Sequence, residues 1–204
     1  MRKGKYCKIA IEFEKTFTAT GGKIILNQVA NTNGRNFTSV LTNIKNANPD
    51  IVYVPLYYDS AGPILQEAKT LGISSTFIGS DSWDSYSLIE LAGSAANGHY
   101  FTNHYFPEAL EAKHFVSAYR FKYHGKTPDA LAALGYDTAL VLFDAIRRAG
   151  IPDQTAVRKA LHDTRHFQGA SGTINRFENG NPIKSTVIIK IENQNPVYYK
   201  TVQP

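Results

Sequence analysis

The order in which hydrophobic patterns change along the chain constrains its fold more than any other feature. Over residues 6–100, segments with a helical repeat alternate with short apolar runs, the sequence of elements that builds a parallel sheet with helical crossovers. Ile9, Phe13 and Phe17 recur at four-residue spacing within 6–20, and Gly21-Gly22 stops that helix. Residues 23–29 then predict a strand. Phe37, Val40, Leu41 and Ile44 form the stripe of a second helix, ended by Asn48-Pro49. A strand is expected at 51–56. Asp59 or Ser60 is the candidate cap of a helix running through Leu71, with Ile64, Leu65 and Ala68 facing inward and Gly72 closing it. Further segments follow as a strand at 76–79, a helix at 86–96 and a strand at 98–103.

Beyond Pro107 the character changes. Helices are expected at 108–124, 129–149 and 153–164, broken by Lys126-Thr127-Pro128 and Gly150-Ile151-Pro152, with no strand between them. Such a block needs a sheet to cover, and none of the neighbouring strands is free for it. The tail returns to β structure at 185–191 and 196–202, a hairpin-like pair around Glu192-Asn193-Gln194-Asn195, preceded by the turn Glu178-Asn179-Gly180-Asn181-Pro182. With 204 residues, 43% of them hydrophobic, there is material for one sizeable core or two smaller ones. No apolar run approaches the ~18 residues that cross a bilayer. The start MRKGK leads directly into KYCKIAIEFEKTF without an apolar signal core, so no export signal is expected within this sequence. Cys7 is the single cysteine, which excludes an intramolecular disulfide and carries no information on redox compartment.

A net charge of +5 invites a nucleic-acid reading, but the charge is unevenly spread. Residues 1–50 hold eight basic and three acidic side chains, whereas residues 51–100 hold one and five. No Lys/Arg cluster interleaved with aromatics forms a backbone-tracking groove, so no nucleic-acid partner is expected. His162 and His166 stand four apart, as in a helical zinc pair, but Asp163 follows where the metalloprotease motif has glutamate, and no third ligand is evident. Gly21-Gly22-Lys23 lacks the rest of a phosphate loop, and Asn36-Phe37-Thr38 is a chance-level glycosylation sequon. Cys7 beside Lys8 is a poor nucleophile, and no Ser/His/Asp or Cys/His set stands out. The expectation is therefore no enzyme, no metal and no cofactor.

Open α/β sheets bind small ligands at the carboxyl ends of their strands. Two such ends are unusually equipped: Tyr57-Tyr58-Asp59-Ser60 after the strand at 51–56, and Ser80-Asp81-Ser82-Trp83 after that at 76–79. Here the sequence resembles the periplasmic-binding-protein family for branched-chain amino acids, the substrate-binding subunits of ABC transporters. The stretches carrying the resemblance are NFTSVLTNIKNANPDIVYVPLYYDSAG, FIGSDSWDS, AGSAANGHYFTNHY, ALGYDTALVLFDAI and SGTINRFENGNP, which occur in the family's order and spacing.

The resemblance implies an α/β, two-lobed type I periplasmic-binding fold with three crossing segments and a ligand trapped between closing lobes. On that mapping, residues 1–103 are most of the second lobe without its first strand. Residues 104–169 are the helical segment of a first lobe whose sheet is missing, with 100–105 as a crossing. Residues 170–204 cross back and supply the terminal strands. The resemblance makes Asp81 the ammonium partner, although many members carry glutamate there, and makes Tyr6 and Tyr57 the site tyrosines. Trp83 would wall the side-chain pocket. Read without the family, Asp81 is a turn or helix cap, one of Tyr57 and Tyr58 is core packing, Tyr6 is a terminal residue and Trp83 is a core aromatic. The implied partners are a small amino acid, leucine, isoleucine or valine first, and a membrane permease. The implied location is periplasmic, or extracellular and membrane-anchored. Alternatives are a ligand-sensing domain of the same fold, a binder of amides, urea or aromatic acids, and, from another class, a doubly wound phosphatase or flavoprotein. The ligand carboxylate is expected to be held by first-lobe residues absent from this chain, and the uncovered apolar faces should favour self-association.

Overall fold

The computed structural model describes residues 5–32, 36–151 and 153–204, with side chains from residue 8 onward. The chain forms two compact units, Met1–Thr102 with Ile189–Val197, and Asn103–Ile188 with Tyr198–Pro204. It therefore passes between them three times.

In the first unit, helix α1 (Lys5–Ala19) is followed by α2 (Thr38–Ala47), β1 (Ile51–Val54), α3 (Tyr58–Thr70), β2 (Thr76–Gly79), α4 (Tyr86–Ala92) and β3 (Tyr100–Asn103). β1 pairs in parallel with β2 from Ile51–Thr76 to Val54–Gly79, and β2 pairs in parallel with β3. The sheet order is β1-β2-β3-β7-β8, where β7 is Thr186–Glu192 and β8 is Asn195–Val202. α3 buries Ala61, Ile64, Leu65 and Ala68, an i, i+3, i+4, i+7 stripe. With Leu41, Phe77, Trp83 and Leu88 these residues make the core, where each large side chain contributes about 1.5–3 kcal/mol. Gly72, at φ +70°, lets the chain leave α3 in the left-handed conformation while Ile73 N–H donates to the Ala68 carbonyl at 3.0 Å.

Two expectations change here. Residues 23–29 form no strand ladder and make no backbone hydrogen bond to other described residues, although Ile24 and Leu26 are half-buried between exposed neighbours. A strand needs a partner, and β1, at the sheet edge, pairs with β2 among the described residues. α3 begins at Tyr57 as its cap, whose carbonyl accepts the Ser60 and Ala61 N–H groups, whereas Asp59 lies in the first turn and Ser60 within the helix.

The second unit contains a 3-10 turn (Leu110–Ala112), α5 (Lys113–Lys122), α6 (Ala130–Ala149), α7 (Gln154–His162), β4 (Phe167–Gly169), β5 (Gly172–Glu178) and β6 (Asn181–Lys184). Asp129 caps α6 by accepting Ala132 N–H, and Asp153 caps α7 by accepting Ala156 N–H, both at 2.8 Å. Tyr105, Phe115, Val116, Ala130, Ala133 and Ala170 form its core. Among the described residues no strand interrupts α5, α6 and α7, as expected, but a small sheet follows them. β4-β5-β6 is an antiparallel sheet beside them, with β4 against α6 and β5 against α7. The hairpin between β5 and β6 turns at Asn179 and Gly180, both at positive φ, the backbone that a two-residue turn requires. Residues 170–188 thus fall within the helical unit.

Candidate functional site

β1 and β2 run parallel, so the loops leaving their carboxyl ends emerge side by side, and hydroxyl groups tie them together. Ser82 Oγ donates to the Leu56 carbonyl at 2.8 Å, immediately before Tyr57. With that proton committed, the 2.7 Å contact between Ser80 and Ser82 is a donation from Ser80 Oγ to Ser82 Oγ. Residues Asp81–Trp83 coil into a single 3-10 turn, closed by Trp83 N–H on the Ser80 carbonyl and Asp84 N–H on the Asp81 carbonyl.

The turn is anchored from beneath by Trp83, which is 1% exposed. Its ring lies so close over Gly79 that a Cβ at that position would stand 2.1 Å from it, so only glycine fits at the end of β2. The buried indole Nε1–H has no hydrogen-bond partner among the described residues. Asp81, two residues before Trp83, stays half-buried, and Tyr57 is 49% exposed. The charge of Asp81 is felt at Tyr53 on β1. Burial first, and the Asp81 carboxylate second, push the Tyr53 hydroxyl above its ordinary pKa. Tyr53 is itself stacked on Phe13 of α1, centroids 4.1 Å apart.

The structure thus brings Asp81 and Tyr57 onto adjoining loops and places Trp83 in the core below Asp81. The Tyr6 side chain lies outside the described residues. Tyr53 was not foreseen, yet the signal existed: Tyr53, Pro55 and Tyr57 are spaced by two, the period that puts residues on one face of an extended segment.

A second polar cluster, also unforeseen, lies wholly within the helical unit. Asp137 of α6 is 2% exposed and accepts Ala170 N–H at 2.6 Å, Ser171 N–H at 2.8 Å and Ser171 Oγ–H at 2.6 Å. Lys184 Nζ donates to the His104 carbonyl at 2.8 Å and to Ser171 Oγ at 3.1 Å. Burial lowers the Lys184 amine to about 8, against the opposing charges of Asp137 and Glu111. Gly169 admits the carboxylate, since a Cβ there would lie 2.4 Å from Asp137 Oδ2. At the end of α7, His162 Nδ1 sits 3.2 Å from Asp163, and no group of three metal-ligating side chains occurs among the described residues.

The family profile described as Periplasmic binding protein matches residues 8–195. The chain belongs to the periplasmic binding protein family. Among curated periplasmic binding proteins it is similar to the leucine-, isoleucine-, valine-, threonine- and alanine-binding protein of Pseudomonas aeruginosa, 27% identical over 84% of this chain and 46% of the relative. Among solved structures it is similar to the leucine-binding protein LivK of Thermotoga maritima, with 36% identity, a TM-score of 0.90, and coverage of 99% of this chain and 58% of the other. The branched-chain amino acid substrate-binding protein LivJ of Streptococcus pneumoniae, solved with isoleucine, matches at 26% identity and TM-score 0.83 over 98% of this chain and 57% of the other. The fold is the type I periplasmic binding architecture, α/β with a parallel sheet. The chain spans about half the length of the curated relatives it matches.

Proposed function

We propose that this chain contributes one half of a binding site for a small amino acid, leucine, isoleucine or valine, delivered to an ABC-transporter permease when two lobes close. The single observation carrying this reading is the half-buried carboxylate of Asp81, held at the strand ends by the Ser80–Ser82–Leu56 hydrogen bonds beside the exposed Tyr57. An ammonium taken into a closing cleft without a carboxylate costs several kcal/mol, and Asp81 answers that charge. Tyr57 offers a hydroxyl to the polar end and a ring edge to an aliphatic side chain. Tyr6 is assigned the same role on the family resemblance alone. Trp83 contributes from below, fixing the turn that carries Asp81. The names of the relatives support the ligand class.

The carboxylate of the ligand is left to a companion lobe, in keeping with a chain that spans about half of its relatives. The two units defined by the chain are proposed to be most of the second lobe and the helical portion of the first. The work is binding and release without turnover, on the outer side of the cytoplasmic membrane. The test is calorimetry on this chain joined to the complementary lobe of the Thermotoga leucine-binding protein, titrated with leucine, isoleucine, valine, benzoate and urea. Binding of the aliphatic amino acids above the other two is expected. Preference for benzoate or urea, or turnover of any of the five, contradicts the reading.

A further inference from the structure

Away from Asp81, a cavity of about 250 Å³ opens beside the amino-terminal ends of β2 and β3. Its walls include the apolar side chains of Leu65, Ile73 and Phe77 and the polar groups of Lys69, Ser94 and His99. The polar side is arranged to donate. Lys69 Nζ reaches across to Ser94 Oγ at 2.9 Å and makes no ion pair among the described residues. His99 Nδ1 accepts the Phe77 N–H at 3.2 Å, which puts the ring proton on Nε2, and that proton has no acceptor among the described residues. Burial depresses the imidazole to about 4, so the ring stays neutral and its N–H stays a donor at physiological pH. The edge of the same ring packs on Phe77, centroids 5.2 Å apart, which holds its orientation.

None of the residues lining the cavity is acidic. A cation plus hydroxyl and imidazole N–H donors above an apolar floor suits an anion with a short hydrocarbon tail, and disfavours a zwitterion whose ammonium would find no carboxylate. At about 30 Å³ per water the space equals roughly eight waters, the size of a ligand of about eight heavy atoms. We propose that this cavity is a second ligand site, for a small aliphatic monocarboxylate, with Lys69 and the His99 Nε2–H holding the carboxylate and Leu65, Ile73 and Phe77 holding the tail.

4-Methylpentanoate is the probe, because it is leucine without the amine. It is titrated into the full chain while the amide and ring resonances of residues 69, 94 and 99 are followed by NMR. The expected result is saturable shifts there with a dissociation constant on the order of 1 mM. Lys69→Gln should weaken binding at least about tenfold and Ser94→Ala about threefold, each with an otherwise unchanged spectrum. Asp81→Asn should leave it unchanged, which separates this site from the amino-acid reading. Absence of shifts, equal binding of 4-methylpentanamide, equal shifts with leucine, or an unweakened Lys69→Gln protein would each overturn the proposal.

Discussion

Each unit of this protein organises its polar chemistry around one aspartate, and the two aspartates are treated in opposite ways. Asp137 is enclosed and both of its oxygens are consumed by donors of residues 170 and 171. Asp81 stands half-buried on a single turn, between two serines whose hydroxyls tie that turn to the Leu56 carbonyl and next to the buried Trp83 packed on Gly79. A carboxylate whose acceptors are saturated inside the fold spends its charge on stability. One that stays half-exposed at a strand end is still within reach of a ligand, which is the role proposed for Asp81. Charge alone does not separate a structural aspartate from a candidate site aspartate, whereas exposure does.

The contrast can be broken most forcefully at position 137. Asp137→Ala removes the acceptor of three buried donors and should cost about 3–5 kcal/mol in urea unfolding followed by circular dichroism. A loss under 1 kcal/mol would mean that the clamp is ornamental. Gly79→Ala forces a methyl into the Trp83 ring and should cost about 2–3 kcal/mol, with a change in tryptophan fluorescence that Asp137→Ala does not produce.

A third test sharpens the helical side. The Lys184 amine titrates near 8 when folded and near 10.5 when unfolded, so between those values the unfolded chain binds more protons. Stability should therefore rise with pH across that window, by on the order of 1–2 kcal/mol after allowance for solvent screening. The extra slope relative to Lys184→Met, measured by unfolding at pH 7.5 and 10.5, should carry that sign. Equal slopes in the two proteins would contradict the burial of the amine. The smallest effect is expected from Ser82→Ala, about 1 kcal/mol, because the hydroxyl is lost both as donor to the Leu56 carbonyl and as acceptor from Ser80 at a partly buried position.

The parallel β/α order of the first unit was legible because its signals are periodic and local: the stripe of α3, the apolar runs of β1 and β2, and the glycine and asparagine stops. The loops carrying Asp81 and Tyr57 were legible as positions because strand ends in such a sheet are predictable, and their role in binding rests on the proposal. What escaped was everything that depends on pairing over distance. Residues 23–29 have the composition of a strand but no ladder partner among the described residues, and β-propensity alone does not make one. β4 is three residues long and β5 reads GTINRFE, too polar to announce itself, so the small sheet exists through its turns and through Asp137 holding residues 170 and 171. Trp83 was ambiguous between pocket wall and core because the sequence does not reveal that Gly79 lies under its ring.

The charge at position 81 is tested by leucine binding in calorimetry on the chain joined to its complementary lobe, with Asp81→Asn beside it. If Asp81 pairs with the ligand ammonium, the isosteric amide weakens leucine at least about 100-fold while shifting unfolding stability by less than about 1 kcal/mol. Leucine bound equally tightly by both proteins would contradict it.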